Sequence, residues 1–344
     1  MSYLNNAATT ILKPEAVKEA KAAAPEEVKD RIARLVKCSS PENIVLTQSG
    51  TEAVRAAVLS FVKPGDHVIS TNMEYKAVLD ALEEAGCDVT FIPVNEYGKL
   101  DYELIEPAVR ENTKAIVCCH GSNVTGNIID LDKVCTIARR NKLVVIADAA
   151  QTVGATDINM EEIQLDVLCF AGHKKLMGPY GTGGICFRRG LSLNPEVEKK
   201  VVHEPSPEKL GGLLAALDFI LEKGMYGIAM CPHRLAKRFF EATKSMKDVK
   251  VYGDFGTNTR IPTVSLNVKG FTAKEVKDYM QKNHIAIKCG DLDCPRLMKD
   301  LGPEAEANGV ARFSFGYFNT RMEVNDAIWV LMQLQGLDDL YLLA

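Results

Sequence analysis

Apolar residues fall along the chain in short runs separated by stretches in which they recur every three or four positions. The runs NIVLT (ending at Thr47), HVIS at 67–70, VTFIP at 89–93, AIVCC at 115–119, LVVIA at 143–147, DVLCF at 166–170 and GICF at 184–187 read as buried strands. The stretches between them, 51–62, 75–86, 102–110 and 131–141, read as amphipathic helices. Strand and helix alternating in this way predict a mostly parallel sheet covered by helices on both faces.

Beyond Arg189 the pattern changes. A connection rich in Pro and charge, NPEVEKKVVHEPSPEK, leads into a long helical stretch from about Leu210 to Lys247. Strand-like VKVYG, TVSLNV, AIKC and ARFSF follow, interleaved with helices at 272–283 and 322–335. The expected organisation is therefore a large α/β domain over 14–209 and a smaller α+β domain over 210–344. Residues 1–13 are expected to join the smaller one.

With 344 residues the chain can bury a reaction site, and 47% apolar and 25% charged residues are the proportions of a soluble globular protein. A formal net charge of -4 argues against nucleic acid and against a polybasic membrane anchor. No apolar run approaches the roughly 20 residues that cross a bilayer, and MSYLNNAATT lacks the features of a signal peptide, so a cytoplasmic protein is expected. In a reducing compartment, Cys118, Cys119, Cys169 and Cys186 are small core residues of strands, whereas Cys289 and Cys294 lie in a polar loop. No cysteine and histidine spacing suits a metal.

In open α/β sheets ligands gather beyond the carboxyl ends of the strands. After NIVLT come Ser49, Gly50 and Thr51 at a helix start, where free N–H groups suit a phosphate or a plain N-cap. After HVIS comes Tyr75, whose ring can stack on a flat ligand or simply pack. The loop after AIVCC holds His120 and Asn123. Asp148 ends a wholly apolar strand, with Gln151 three residues on, and a carboxylate there needs a cationic partner. After DVLCF comes AGHKKLMGPYGTGG, with His173, Lys174 and Lys175. An acid, a lysine, a phosphate-suited helix start and an aromatic ring on one sheet edge match the needs of pyridoxal 5'-phosphate.

Those stretches, in order, carry a resemblance. YLNNAATT, SPENIVLT with GTEA, GDHVIST, HGSNVTG, DAAQTVGA, GHKKLMGPYGTGG and RFSFGYFNT are similar to motifs of the class V aminotransferase-like pyridoxal-phosphate enzymes, closest to cysteine desulfurases and selenocysteine lyases. The resemblance implies a fold-type I architecture and Lys174 as the Schiff-base lysine. It places Asp148 on the pyridine nitrogen, Gln151 and Asn123 near the ring hydroxyl and substrate, and Gly50, Thr51 and His173 at the phosphate. Tyr75 would stack on the ring, Arg312 would grip the substrate α-carboxylate, and Asn6 and Ala7 would line the substrate side. It further implies a homodimer that removes sulfur or selenium from cysteine or selenocysteine, leaving alanine and a persulfide on an accessible cysteine, for a sulfur-acceptor protein. Lys175 is then a phosphate or surface neighbour.

The sequence departs from that family at identifiable places. Asp293 stands where the nucleophilic cysteine is expected and Cys294 one place later, with Cys289 as a second thiol and Lys288 at an arginine position. Tyr75 replaces a histidine, Ala171 a serine and Asn5 an aspartate, and the glycine-rich segments expected near AKAAAPEE and after GTGGICFRRG are shortened. Three readings follow: a desulfurase-like enzyme using Cys294, another pyridoxal-phosphate aminotransferase or lyase needing no thiol, or a non-catalytic scaffold.

Overall fold

The computed structural model describes residues 1–257 and 259–336. In chain order its strands are β1 (Ser2–Tyr3), β2 (Ile44–Thr47), β3 (His67–Thr71), β4 (Asp88–Ile92), β5 (Thr113–Cys119), β6 (Val144–Asp148), β7 (Val167–Ala171) and β8 (Gly183–Phe187). They continue with β9 (Val249–Tyr252), β10 (Thr263–Val268), β11 (Ile285–Ala286), β12 (Lys288–Gly290) and β13 (Val310–Ser314).

Strands β2 to β8 form a seven-stranded sheet in the order β2-β8-β7-β6-β5-β3-β4. The core from β7 through β6, β5 and β3 to β4 is parallel, and β8 runs antiparallel to both of its neighbours. The period of two puts alternate residues on opposite faces: Cys118, Ala147, Leu168 and Phe170 join one core cluster, and Val117, Ile146, Val167 and Cys169 the other. Both faces are buried, which is why these strands are almost wholly apolar. Gly184 of β8 lies under the Phe170 ring, where an added Cβ would come within 2.6 Å of the ring edge.

Helices flank the sheet, several with side-chain caps: Ser49 accepts from Glu52 N at the head of Gly50–Phe61, and Asp130 from Lys133 N ahead of Leu131–Arg140. The segment 102–110, expected as a helix, is instead two 3₁₀ turns, Tyr102–Leu104 and Glu106–Ala108. Pro107 has no N–H for a continuing α-helical ladder.

A second, four-stranded antiparallel sheet has the order β12-β13-β10-β9, with its own core of Val264, Leu266, Phe313 and Phe315. AIKC is not one strand: Ala286 belongs to β11 and Lys288 to β12, in different sheets. The long helix spans Pro207–Thr243 and breaks at Gly224, whose φ of 71° and ψ of 153° are not helical. β1 pairs in parallel with β11, and Asn5 bridges to Ser314, so the first residues run alongside the second sheet. From there they cross to the large one, where Thr10 N donates to His173 O.

Candidate active site

The carboxyl ends of β5, β6 and β7 bring their loops to one place, with Cys119 opposite Asp148 and Asp148 opposite Cys169 in register. Asp148 and Lys174 are the partly exposed side chains here, among buried neighbours such as Ala147, Ala149 and Ala171. Burial raises the Asp148 carboxyl above its usual range, while Lys174 and the N–H of Ala150, at 2.9 Å from Oδ1, draw it down. Burial lowers the Lys174 ammonium, Asp148 opposes this, and Arg312 adds to it. Each group is the other's main charge partner.

The loop that carries Lys174 is held from the N-terminal segment. Thr10 Oγ1 donates to Lys174 O at 2.8 Å, and Thr9 Oγ1 donates to His173 O at 3.1 Å. His173 stacks on Tyr180 at 4.5 Å between ring centroids, with Nδ1 3.2 Å from Thr9 Oγ1. Burial, with Lys174 and Lys13 nearby, pushes its pKa down to about 4, so the ring is neutral at physiological pH.

Gly50 opens its helix hard against the end of β7: a Cβ there would lie 3.1 Å from that of Ala171. The first-turn N–H groups of Gly50 and Thr51 have no intrahelical partner, and Thr51 is exposed. Tyr75 is the N-cap residue of Lys76–Ala85, and its ring centroid is 5.6 Å from Lys174 Nζ. Gln151 Nε2 donates to Ala7 O at 2.8 Å, which leaves Oε1 buried without a partner. Asn6 turns inward: its amide donates to Asn319 Oδ1 at 2.9 Å and to the carbonyls of Tyr3 and Ser314.

Arg312 lies on β13 and is 1% exposed. Its guanidinium donates to Asn123 O at 3.1 Å and Asn5 Oδ1 at 2.8 Å, and its Nε is buried with no partner. Among the described residues it pairs with no carboxylate. Burial pulls its pKa down to about 10, still charged at neutral pH.

Cys294 is 0% exposed, not the accessible loop thiol expected. It heads the short helix Pro295–Asp300, and its thiol donates to Asn123 Oδ1 at 3.1 Å. Burial raises its pKa strongly, Glu74 adds to the rise, and Arg312 opposes it. The physical reason is packing: Leu292, Leu297 and Met298 join the core around it. Its loop is docked through Asp293, whose carboxylate lies 3.2 Å from Lys288 Nζ and bonds the Tyr75 hydroxyl, and whose carbonyl accepts from Lys76 N. Leu292 and Asp293 both take left-handed φ values, 55° and 62°. Cys289 lies on β12, half-buried, rather than in a loop.

One residue near the site was not assigned from sequence, and another lies elsewhere than expected. Glu74, 1% exposed, accepts from Thr71 Oγ1 at 2.5 Å, and its Oε2 has no partner. Burial pushes its pKa up to about 8, so it is largely protonated at neutral pH. An acid directly before Tyr75 at the end of a buried strand was the signal. Lys175, expected at the surface or the phosphate, is buried and lines a small cavity with His233.

The donor set fits pyridoxal 5'-phosphate. Asp148 and Lys174 are each other's main charge partner, the helix head at Gly50 packs against Ala171 three residues before Lys174, and Gln151 Oε1 and Arg312 Nε are buried with no partner. Among the described residues no cluster of His, Cys, Asp or Glu could hold a metal ion.

Fold and site together define an α/β protein with a carboxylate, a lysine and an open helix head gathered at the carboxyl ends of one mostly parallel sheet. The chain belongs to the aminotransferase class-V family, whose sequence profile matches residues 2–199 and 203–326. It is similar to the cysteine desulfurase IscS of Vibrio campbellii, 30% identical over 329 residues, covering 89% of this chain and 80% of that one. A cysteine desulfurase of Haloferax volcanii is 27% identical over 334 residues, 88% of this chain and 77% of its own. The solved apo structure of a cysteine desulfurase from Thermococcus onnurineus superposes with a TM-score of 0.86 at 26% identity, covering 98% and 95% of the two chains.

Proposed function

We propose that the protein is a pyridoxal-phosphate-dependent cysteine desulfurase-like enzyme, taking sulfur or selenium from cysteine or selenocysteine and leaving alanine and a persulfide on the protein. The observation that carries this is Arg312, a buried guanidinium with no carboxylate of its own, beside the Asp148 and Lys174 pair. A scaffold has no use for such a clamp. Its open valence suits the α-carboxylate of an amino acid.

Pyridoxal phosphate, when bound, supplies an electron sink for bonds at the substrate α-carbon. The chain's own residues do the rest. Asp148 would pair with the ring nitrogen, and the Gly50 helix head with Thr51 and His173 would hold the phosphate. Tyr75 supplies a stacking face in place of an imidazole, so it stacks but shuttles no proton near neutral pH, its pKa being raised to about 12. Gln151 and Asn123 orient the ring oxygen and substrate, and Asn6 and Ala7 shape the substrate wall. Lys174 Nζ, with its lowered proton affinity, moves protons at the α-carbon. Cys294 Sγ, held by Asn123 Oδ1, is the sulfur acceptor; it must lose its proton, and the nearby Arg312 favours the thiolate.

In the same reading residues 14–209 form the cofactor domain and 210–344 the small domain, joined by 1–13, consistent with the membership of the two larger sheets; residues 337–344 lie outside the described ones. The enzyme works as a cytoplasmic homodimer and passes sulfur to an acceptor protein. Support for the dimer comes from exposed Ile11, Leu12 and Tyr180, apolar surface that a second copy would cover.

The test is loading with pyridoxal phosphate followed by an amino-acid screen. We expect a visible band removed by borohydride, and alanine with sulfide from cysteine. Lys174→Ala should lower turnover by roughly 10²–10⁴-fold, and Cys294→Ser should abolish sulfide release. A band with alanine formation from other amino acids, untouched in Cys294→Ser and Cys289→Ser, would establish the thiol-free aminotransferase or lyase reading instead. No cofactor uptake in excess would leave only the scaffold.

A further inference from the structure

Lys174 and Lys175 are neighbours in sequence with different surroundings. Lys175 is 7% exposed, and its Nζ has one polar contact, Phe315 O at 3.5 Å. Among the described residues no carboxylate pairs with it. It lines a small cavity with Thr10, Met177, Pro232, His233 and Phe315. His233, Ala155 and Ala229 form the wall shared between that cavity and a surface groove carrying Arg34, Lys37 and Arg260. The groove's acid, Asp157, is taken by Lys37 at 3.0 Å. The Arg260 guanidinium, stacked on Phe255 at 3.4 Å, donates to the carbonyls of Thr125, Thr263 and Asp254. The groove also reaches Gly224, where the long helix breaks.

A buried ammonium without a counter-ion is costly, and the cost is met either by losing the proton or by taking up an anion. We propose that Lys175 and His233 form the floor of a binding site for a compact monovalent anion of chloride size, beside the groove between Gly224 and Arg260. The cavity is lined by none of the residues assigned to cofactor or substrate, and the inference does not rest on that reading.

The charged groups that face Lys175 are Arg312 and Lys174, and those that face His233 are Lys175 and Arg260. All are cationic when protonated. Burial, then Arg312 and Lys174, pulls Lys175 down to about 7. An anion stabilises the protonated amine, so binding is strongest below that value and fades above it as the ammonium is lost. A ligand that binds only the folded state raises its stability with concentration.

The test measures the thermal midpoint of the protein as purified, with sodium chloride exchanged for sodium gluconate at constant ionic strength, at about pH 6 and about pH 8.5. Gluconate is too bulky for the cavity. Chloride should raise the midpoint at the lower pH and do so less at the higher one. That gain should vanish in Lys175→Met and shrink in His233→Gln, while the Arg312 clamp remains in both. Equal chloride gains in the wild type and the two variants, or a gain that ignores pH, would overturn the proposal. If Lys175→Met does not fold, the comparison with His233→Gln decides on the same criterion.

Discussion

An arginine as deeply buried as Arg312 ordinarily sits beside a carboxylate, and here Asn5 offers only an amide oxygen at 2.8 Å. In the proposed reading that charge is met by the substrate carboxylate. Arg312→Lys keeps the charge but loses the planar fork, and kcat/KM for cysteine should fall about 10–100-fold, chiefly through KM, measured by steady-state alanine release. Glu74 gives a second test at this scale. Its folded pKa of about 8 lies above its ordinary value of 4.5, so the folded state binds an extra proton between those values. Its contribution to stability is full below the lower value and is lost as pH rises towards the upper one. Glu74→Gln should remove that slope, and urea midpoints between about pH 5 and 8 should decline less with pH than those of the wild type. Asp148 stood out in the sequence because its charge ends an apolar strand, and Lys174 because it follows the next one, whereas Arg312 was marked only by the resemblance its flanking motif carries. Lys175 did not stand out, because a lysine beside a lysine looks like surface, and only tertiary packing turns it inward.

Among the elements, the loop from Asp291 to Cys294 departs furthest from expectation. Successive left-handed residues at Leu292 and Asp293, neither a glycine, cost roughly 1–2 kcal/mol each and persist because Lys288, Tyr75 and Lys76 hold Asp293. Asp293→Ala should release the loop, and alkylation of Cys294 by iodoacetamide, followed by peptide mass spectrometry, should accelerate several-fold. Unchanged labelling would mean that packing by Leu292 and Leu297 alone keeps the thiol closed. The strands of the large sheet were readable because apolar runs of that length, bounded by polar residues, have few alternatives. The 102–110 segment misled because its apolar spacing is helical while Pro107 forbids the ladder. AIKC misled because a single strand-like stretch is divided between two sheets at Ile287, which no residue type announces.

At the scale of the whole molecule, alternating β and α segments made the parallel sheet legible, and the change of pattern after Arg189 signalled a second sheet. What composition could not reveal is how the two are tied. Residues 2–10 pair with β11, bridge to Ser314 and hold the Lys174 loop through Thr9 and Thr10. Replacing both threonines by valine should loosen that loop, lowering retention of pyridoxal phosphate on gel filtration with little change in helix content by circular dichroism. The tie also orders events on the ribosome. Ser2 is synthesised long before Ile285, its partner in β1–β11 pairing, so the large sheet can form while the first residues still wait. The pairing that anchors the first residues to the second sheet is thus made only after nearly the whole chain has emerged, a late closing step in a fold whose large sheet comes first.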